Sequence, residues 1–281
     1  MSEDKNFLQS IKLELSRNFK LFPYERIAFH KILAHVKSNA GKDTLISEVD
    51  RGDDIRISAL SALSEFNDLS LVPFFVSILT KEPLDEELLI ILDFLYNNGS
   101  ADEIPPLMEL IDRKKDDKKE GFIIRRIFNV LKKIGSDNSN FHQYITDIIN
   151  NPESDIVLLE GAISAASTLK NTHVFEELLK RNDDHISYHV FLSIYHLNLT
   201  LISDRNEDDF ENYNPATNAA KDMADDENLI LNIKVLLGKI ISKYDSFSNK
   251  TKNAYLTAML SCNHRESAIY LTKALNQEMM I

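Results

Sequence analysis

The fold class this sequence predicts is all-α, a solenoid of stacked helix pairs, and three observations carry it. Glycine and proline number only seven each in 281 residues and tryptophan is absent, which favours long helices over many strands. Apolar residues recur at steps of three and four through most of the chain, the period of a helix with one buried face. Helix-length segments also come in pairs, at intervals of roughly 27 to 37 residues, as in degenerate helical repeats. A lone hairpin of such helices cannot bury its apolar face, whereas stacked copies can.

Taken in order, Phe7, Leu8, Ile11, Leu15, Phe19 and Phe22 mark an amphipathic helix that caps the first repeat or detaches to dock elsewhere. Pro23 suits a first helical turn, and a helix to Val36 follows with Ile27, Ile32, Leu33 and Val36 inward, broken by Asn39, Ala40 and Gly41. Residues 1–43 thus read as N-terminal capping helices. Repeats occupy 44–203: Thr44 to Arg51 with Asp54 to Phe66, Leu71 to Thr80 with Leu84 to Tyr96, and Asp102 to Ile111 with Phe122 to Ile134. Phe141 to Ile149 with Ser154 to Leu169, and His173 to Lys180 with Asp184 to Leu197, complete the run. Residues 204–225 are acidic and poor in aliphatic side chains, the composition of a flexible insertion. In 226–281, Leu229, Ile233, Leu236, Leu237, Ile240 and Tyr244 share a face, Ser248 can cap a further helix to about Leu260, and a last helix follows from about His264 to Met279. This region is a helical cap or an atypical repeat.

The stretch from Asp54 to Leu79 organises the rest. Ser58, Ala59, Ser61, Ala62 and Ser64 keep the middle of its first helix slim, so a neighbour can approach closely. Asp54, Ile55, Arg56, Ala59, Ala62, Phe66, Asp68, Val72 and Pro73 follow one another as an aspartate, an apolar-Arg pair, paired alanines, an apolar end and a Val-Pro start. In that register the chain resembles the HEAT-repeat (armadillo-like) family, particularly the short repeats of the phycobilisome-lyase type. Ile104 and Pro105 repeat the Val-Pro signal, and Gly161 to Asn171 echoes the small-residue helix. The resemblance implies a right-handed α-α superhelix, with the second helix of each pair lining a concave groove.

Charge and motifs narrow the function classes. A net charge of −12 opposes nucleic acid, which is bound through neutralised phosphates. No stretch approaches the ~18 apolar residues of a membrane span. The acidic start lacks a secretory leader, and the single Cys262 permits neither an internal disulfide nor a cysteine zinc cluster, so a cytoplasmic location is expected. Glycine-rich phosphate loops, nucleophile elbows and HExxH are absent, so no catalytic residue, cofactor or metal is assigned.

Two clusters stand out. From Arg113 to Lys133 the chain is a basic island, in which Arg126 and Lys133, like Arg125 and Lys132, share a helix face one heptad apart. It is either a solvated flank or a dock for an acidic peptide, a phosphate or the chain's own acidic stretch, which has the opposite sign. His185, His189 and His196 form a stripe opposite Ile186, Val190, Phe191 and Ile194, and should face solvent. Two histidines one turn apart can share an ion, but no cysteine or carboxylate lies nearby on that face, so they read as polar groove positions. By the resemblance, Arg56, Arg125, Arg126, Lys133, His185, His189 and His196 are the groove candidates. The resulting expectation is a non-enzymatic scaffold or adaptor that binds a protein partner. The alternatives are a regulatory subunit of an enzyme, or a HEAT-like nucleic-acid enzyme or lyase. The missing tryptophan and the acidic balance weigh against a glycosylase of that type.

Overall fold

Helices make up nearly all the regular structure of the computed structural model, and no strand occurs among the residues it describes. Those residues are 6, 9–11, 13–15, 22–51, 55–115, 120–170, 172–203 and 218–262, the side chains of 172, 202–203 and 218–225 excepted. The chain divides into two compact units, Met1–Gly135 and Ser136–Ile281. The first holds α1 (Pro23–Val36), α2 (Asn39–Asp50), α3 (Arg56–Ser64), α4 (Val72–Leu79), α5 (Asp85–Asn98), α6 (Ile104–Lys114) and α7 (Gly121–Ile134). The second holds α8 (Ser139–Asn150), α9 (Ile156–Thr168), α10 (Thr172–Lys180), α11 (Asp184–Ser203), α12 (Asn218–Ile240) and α13 (Asn249–Ser261).

Local chemistry sets the helix starts. Before α4 and α6 the chain makes a single 3₁₀ turn, capped by Asp68 and Ser100 respectively. The Asp68 carboxylate accepts from the Ser70 N–H at 2.9 Å, and the Glu103 carboxylate folds back to the Ser100 N–H at 2.5 Å. Pro73 and Pro105 then occupy first-turn positions, where the missing N–H needs no partner. The Val-Pro and Ile-Pro signals thus mark the same local structure twice. Ser248 caps α13 as expected, accepting from the Thr251 N–H.

Two boundaries and one buried face differ from the sequence reading. Asn39, Ala40 and Gly41 do not break a helix but open α2. The break lies at Lys37, whose left-handed backbone (φ 48°) ends α1, and Ser38 then caps α2 by accepting from the Gly41 N–H. On α1 the buried face is Arg26, His30, Leu33 and Ala34, whereas Phe22 and Val36 are exposed. Helix α12 begins at Asn218, within the stretch expected to be an insertion. Ala219, Ala220 and Lys221 are strong helix formers and favour a helix there. Asp54, the rest of the expected insertion (204–217), the final helix and most of the N-terminal capping helix lie outside the described residues. Of that last helix, Ile11 and Leu15 are buried.

Packing repeats within each unit. In the first, successive helices pack as hairpins, while α1 on α3, α3 on α5 and α5 on α7 build one layer. Helices α4 and α6 pair in the other, and Lys42 at the start of α2 reaches Asp68 below α4 at 2.6 Å. In the second unit α9, α11 and α13 form one layer and α8, α10 and α12 the other. Small residues sit where helices crowd: Ala59 and Ala62 on α3, and Gly161, Ala162, Ala165 and Ala166 on α9, are all buried. Larger groups fill the sides, as where Phe75 stacks on Phe94 at 4.2 Å. In the second unit Phe191, Tyr244, Phe247 and Tyr255 cluster between α11 and α13, and the Tyr255 hydroxyl donates to the Leu237 carbonyl at 2.9 Å.

An arginine follows the same rule three times. Arg51, at the end of α2, donates to the Leu15 carbonyl at 3.3 Å, and Arg113, in the last turn of α6, donates to that of Leu79 at 2.8 Å. Arg181, just after α10, donates to the Ile149 carbonyl of α8. The Arg113 and Arg181 guanidinia thereby satisfy carbonyls in the last turns of α4 and α8, where the dipole also favours a cation.

Since Ala62 lies buried on a helix with neighbours α1, α2 and α5, Ala62→Leu should overpack it. A loss of roughly 1–3 kcal/mol is expected in urea unfolding; an unchanged midpoint would mean that this face is loosely packed.

Candidate functional site

The second helices of the first unit run parallel, and their register pairs their side chains across the layer. Arg56 at the start of α3 meets Glu87 in the first turn of α5, Nε to Oε1 at 2.8 Å. Arg126 of α7 donates through Nε to Asp93 Oδ1 of α5 at 2.9 Å. Further along the same two helices, the Lys133 ammonium stands 4.2 Å from the centre of the Tyr96 ring. Arg125 is exposed beside them. All four cationic groove candidates of this unit therefore lie on the same layer, and Arg56, Arg126 and Lys133 reach a neighbouring helix.

The rest of the basic island is largely neutralised at home. Lys114 pairs with Glu120 at 2.9 Å and Lys115 with Asp112 at 3.2 Å. Arg113 caps α4, and burial pushes the Lys132 ammonium below its ordinary pKa. Lys118 and Lys119 lie outside the described residues. What α7 presents outward is a narrower stripe, Phe122, Arg125, Arg126, Asn129 and Lys133, in which Phe122 is 64% exposed.

In the second unit the histidine stripe divides. His185 and His189 are one turn apart on α11 with ring centres 4.6 Å apart, and both aim Nε2 at a single oxygen, Oε1 of Glu160 on α9. The distances are 2.9 Å from His185 and 3.1 Å from His189. His196 is exposed beside Tyr195 and takes no part. The expectation that no carboxylate lies near these histidines holds only for their own helix. Glu160 arrives from the neighbouring second helix, 25 residues earlier. The signal that could have found it was the repeat register, which sets Glu160 and His185 at matching heights on α9 and α11.

A third cluster was not anticipated. Glu48 on α2 is buried, and its Oε2 accepts from Arg26 at 2.5 Å and lies 3.3 Å from His30 Nε2, while its Oε1 accepts from Arg51 at 2.7 Å. His30 Nδ1 lies 3.2 Å from the Ser58 hydroxyl of α3, so this network ties α1, α2 and α3 together. Every member is enclosed or committed to a partner, which makes the cluster a structural tie rather than a ligand site.

No family model, curated protein or solved structure matches this chain. Among the described residues no helix is long and apolar enough to cross a membrane.

The Glu48 network predicts an acid limb of stability. Burial raises the carboxyl pKa, but hydrogen bonds from His30, Arg26 and Arg51 outweigh it and hold the group at about 2 against an ordinary 4.5. The folded state thus binds fewer protons, so the network's contribution is complete above about pH 4.5 and is lost as pH falls through about 2. It amounts to roughly 3 kcal/mol. Urea midpoints measured from pH 7 to pH 2.5 should fall in that window. In Glu48→Gln that acid-dependent loss should shrink while stability at pH 7 drops; an identical acid limb in the variant would remove Glu48 from the explanation.

Proposed function

We propose that this chain is a non-enzymatic, HEAT-like scaffold whose helix pairs belong to a right-handed superhelix, and that it binds an acidic segment of a protein partner across the second-helix layer of the first unit. The observation that carries this reading is the outward stripe on α7, which combines Phe122 with Arg125, Arg126 and Lys133 on one face. Tyr96 and Asp93 on α5 extend the surface sideways. Arg126 reaches its acceptor through a partly exposed pair, which a carboxylate of the partner can replace at little loss, since exposed pairs contribute under about 1 kcal/mol each. Aromatic and arginine side chains together are the usual anchors of a protein interface. A long face shared by several helices suits a peptide lying across them. Such binding is expected to weaken with salt, because screening acts over about 8 Å at physiological strength.

The test is fluorescence anisotropy with a labelled peptide rich in Asp and Glu and containing two Phe residues. The wild-type chain should bind it in a salt-sensitive way, and the double variant Arg125→Glu with Lys133→Glu should bind at least tenfold more weakly while keeping its helical circular dichroism. Equal binding by both proteins, or none by the wild type, would defeat the assignment of this face.

A further inference from the structure

We infer that Glu160, His185 and His189 form a binding site for one borderline-soft divalent ion, with zinc as the representative case. The inference rests on convergence. Glu160, His185 and His189, from two helices, each offer a donor atom within 4.8 Å of the other two, and both histidine Nε2 atoms approach Glu160 Oε1. In a tetrahedral site with ligand bonds near 2.0–2.1 Å, neighbouring donors stand about 3.3 Å apart. The two nitrogen–oxygen separations, 2.9 and 3.1 Å, need widen by only a few tenths of an ångström.

The scaffold holds this arrangement in place. Both histidines project from one face of α11, whose opposite face buries Ile186, Val190, Phe191 and Ile194, so the helix cannot rotate to release them. Glu160 projects from α9, whose buried Gly161, Ala162, Ala165 and Ala166 bring α11 close. Glu160 is 12% exposed and His189 23%, while His185 is 48% exposed. The carboxylate is therefore largely withdrawn from water, and an ion can still enter past His185. Two imidazoles and one carboxylate select zinc, cobalt or nickel over calcium and magnesium, which prefer oxygen-only sets. Three protein ligands leave the fourth position to water. The site lies in the second unit and stands independently of the peptide surface proposed for the first.

Isothermal titration of the chelator-treated full chain with zinc chloride tests this directly. One equivalent should bind with micromolar or tighter affinity, and calcium and magnesium should give no saturable heat. Cobalt in place of zinc should develop the intense visible bands of a tetrahedral centre. Glu160→Gln and His189→Ala should each weaken zinc binding at least tenfold, and His196→Ala should leave it unchanged. Should His189→Ala lose its helical circular dichroism, the more exposed His185→Ala takes its place. Absence of a one-equivalent transition, weak binding spread over the eight histidines, or wild-type affinity in Glu160→Gln would each overturn the assignment.

Discussion

The constraint on which everything else depends is that no helix of this chain can cover its own apolar stripe. Helix α5 buries Leu88, Ile91, Leu92, Phe94 and Leu95, and α7 buries Ile123, Ile124, Ile127, Phe128, Val130 and Leu131. Side chains on so wide an arc need neighbours on more than one side, so each second helix must meet both its hairpin partner and the next second helix. At about 1.5–3 kcal/mol for each fully buried large aliphatic or aromatic side chain, this burial far exceeds any polar contact described above. The small residues on α3 and α9 set how close the helices come. The ion pairs, caps and rings then fall where that packing places them.

This hierarchy explains what could be read from the sequence. The helix pairs from α4 to α11 are legible because their apolar periodicity is local, and the Val72-Pro73 and Ile104-Pro105 starts because a proline's place in a first turn is local too. The opening of α2 was missed because Asn39 and Gly41 are weak helix formers, and their poor propensity is outweighed by the Ser38 cap. The buried face of α1 was misjudged for a different reason. Arg26 and His30 are inward only because Glu48 stands across from them on α2, a fact of tertiary packing that no periodicity encodes.

The same distinction runs through the candidate sites. The cations Arg56, Arg126 and Lys133 were recognisable by type and helix face. Their engagement with Glu87, Asp93 and Tyr96 depends on the register between parallel helices, which residue spacing alone does not supply. The outcome is a layer whose charges are mostly balanced from within. In the binding mode proposed above, discrimination would come less from net charge than from which internal pairs an incoming group can replace. The histidine pair had the same gap in its description, and the parallel register fills it with Glu160.

The three arginines that cap a preceding helix give the architecture a direction. Arg51, Arg113 and Arg181 each reach backward along the chain, from the end of one first-position helix to a carbonyl of the one before it, in the last turn of α4 and of α8 for Arg113 and Arg181. A ribosome delivers the acceptor before the donor. Every such helix therefore emerges with a frayed, hydrated end that is sealed only when the next pair has been synthesised and docked. A chain that stalls between two pairs leaves its last completed helix open at the very end where the missing segment belonged.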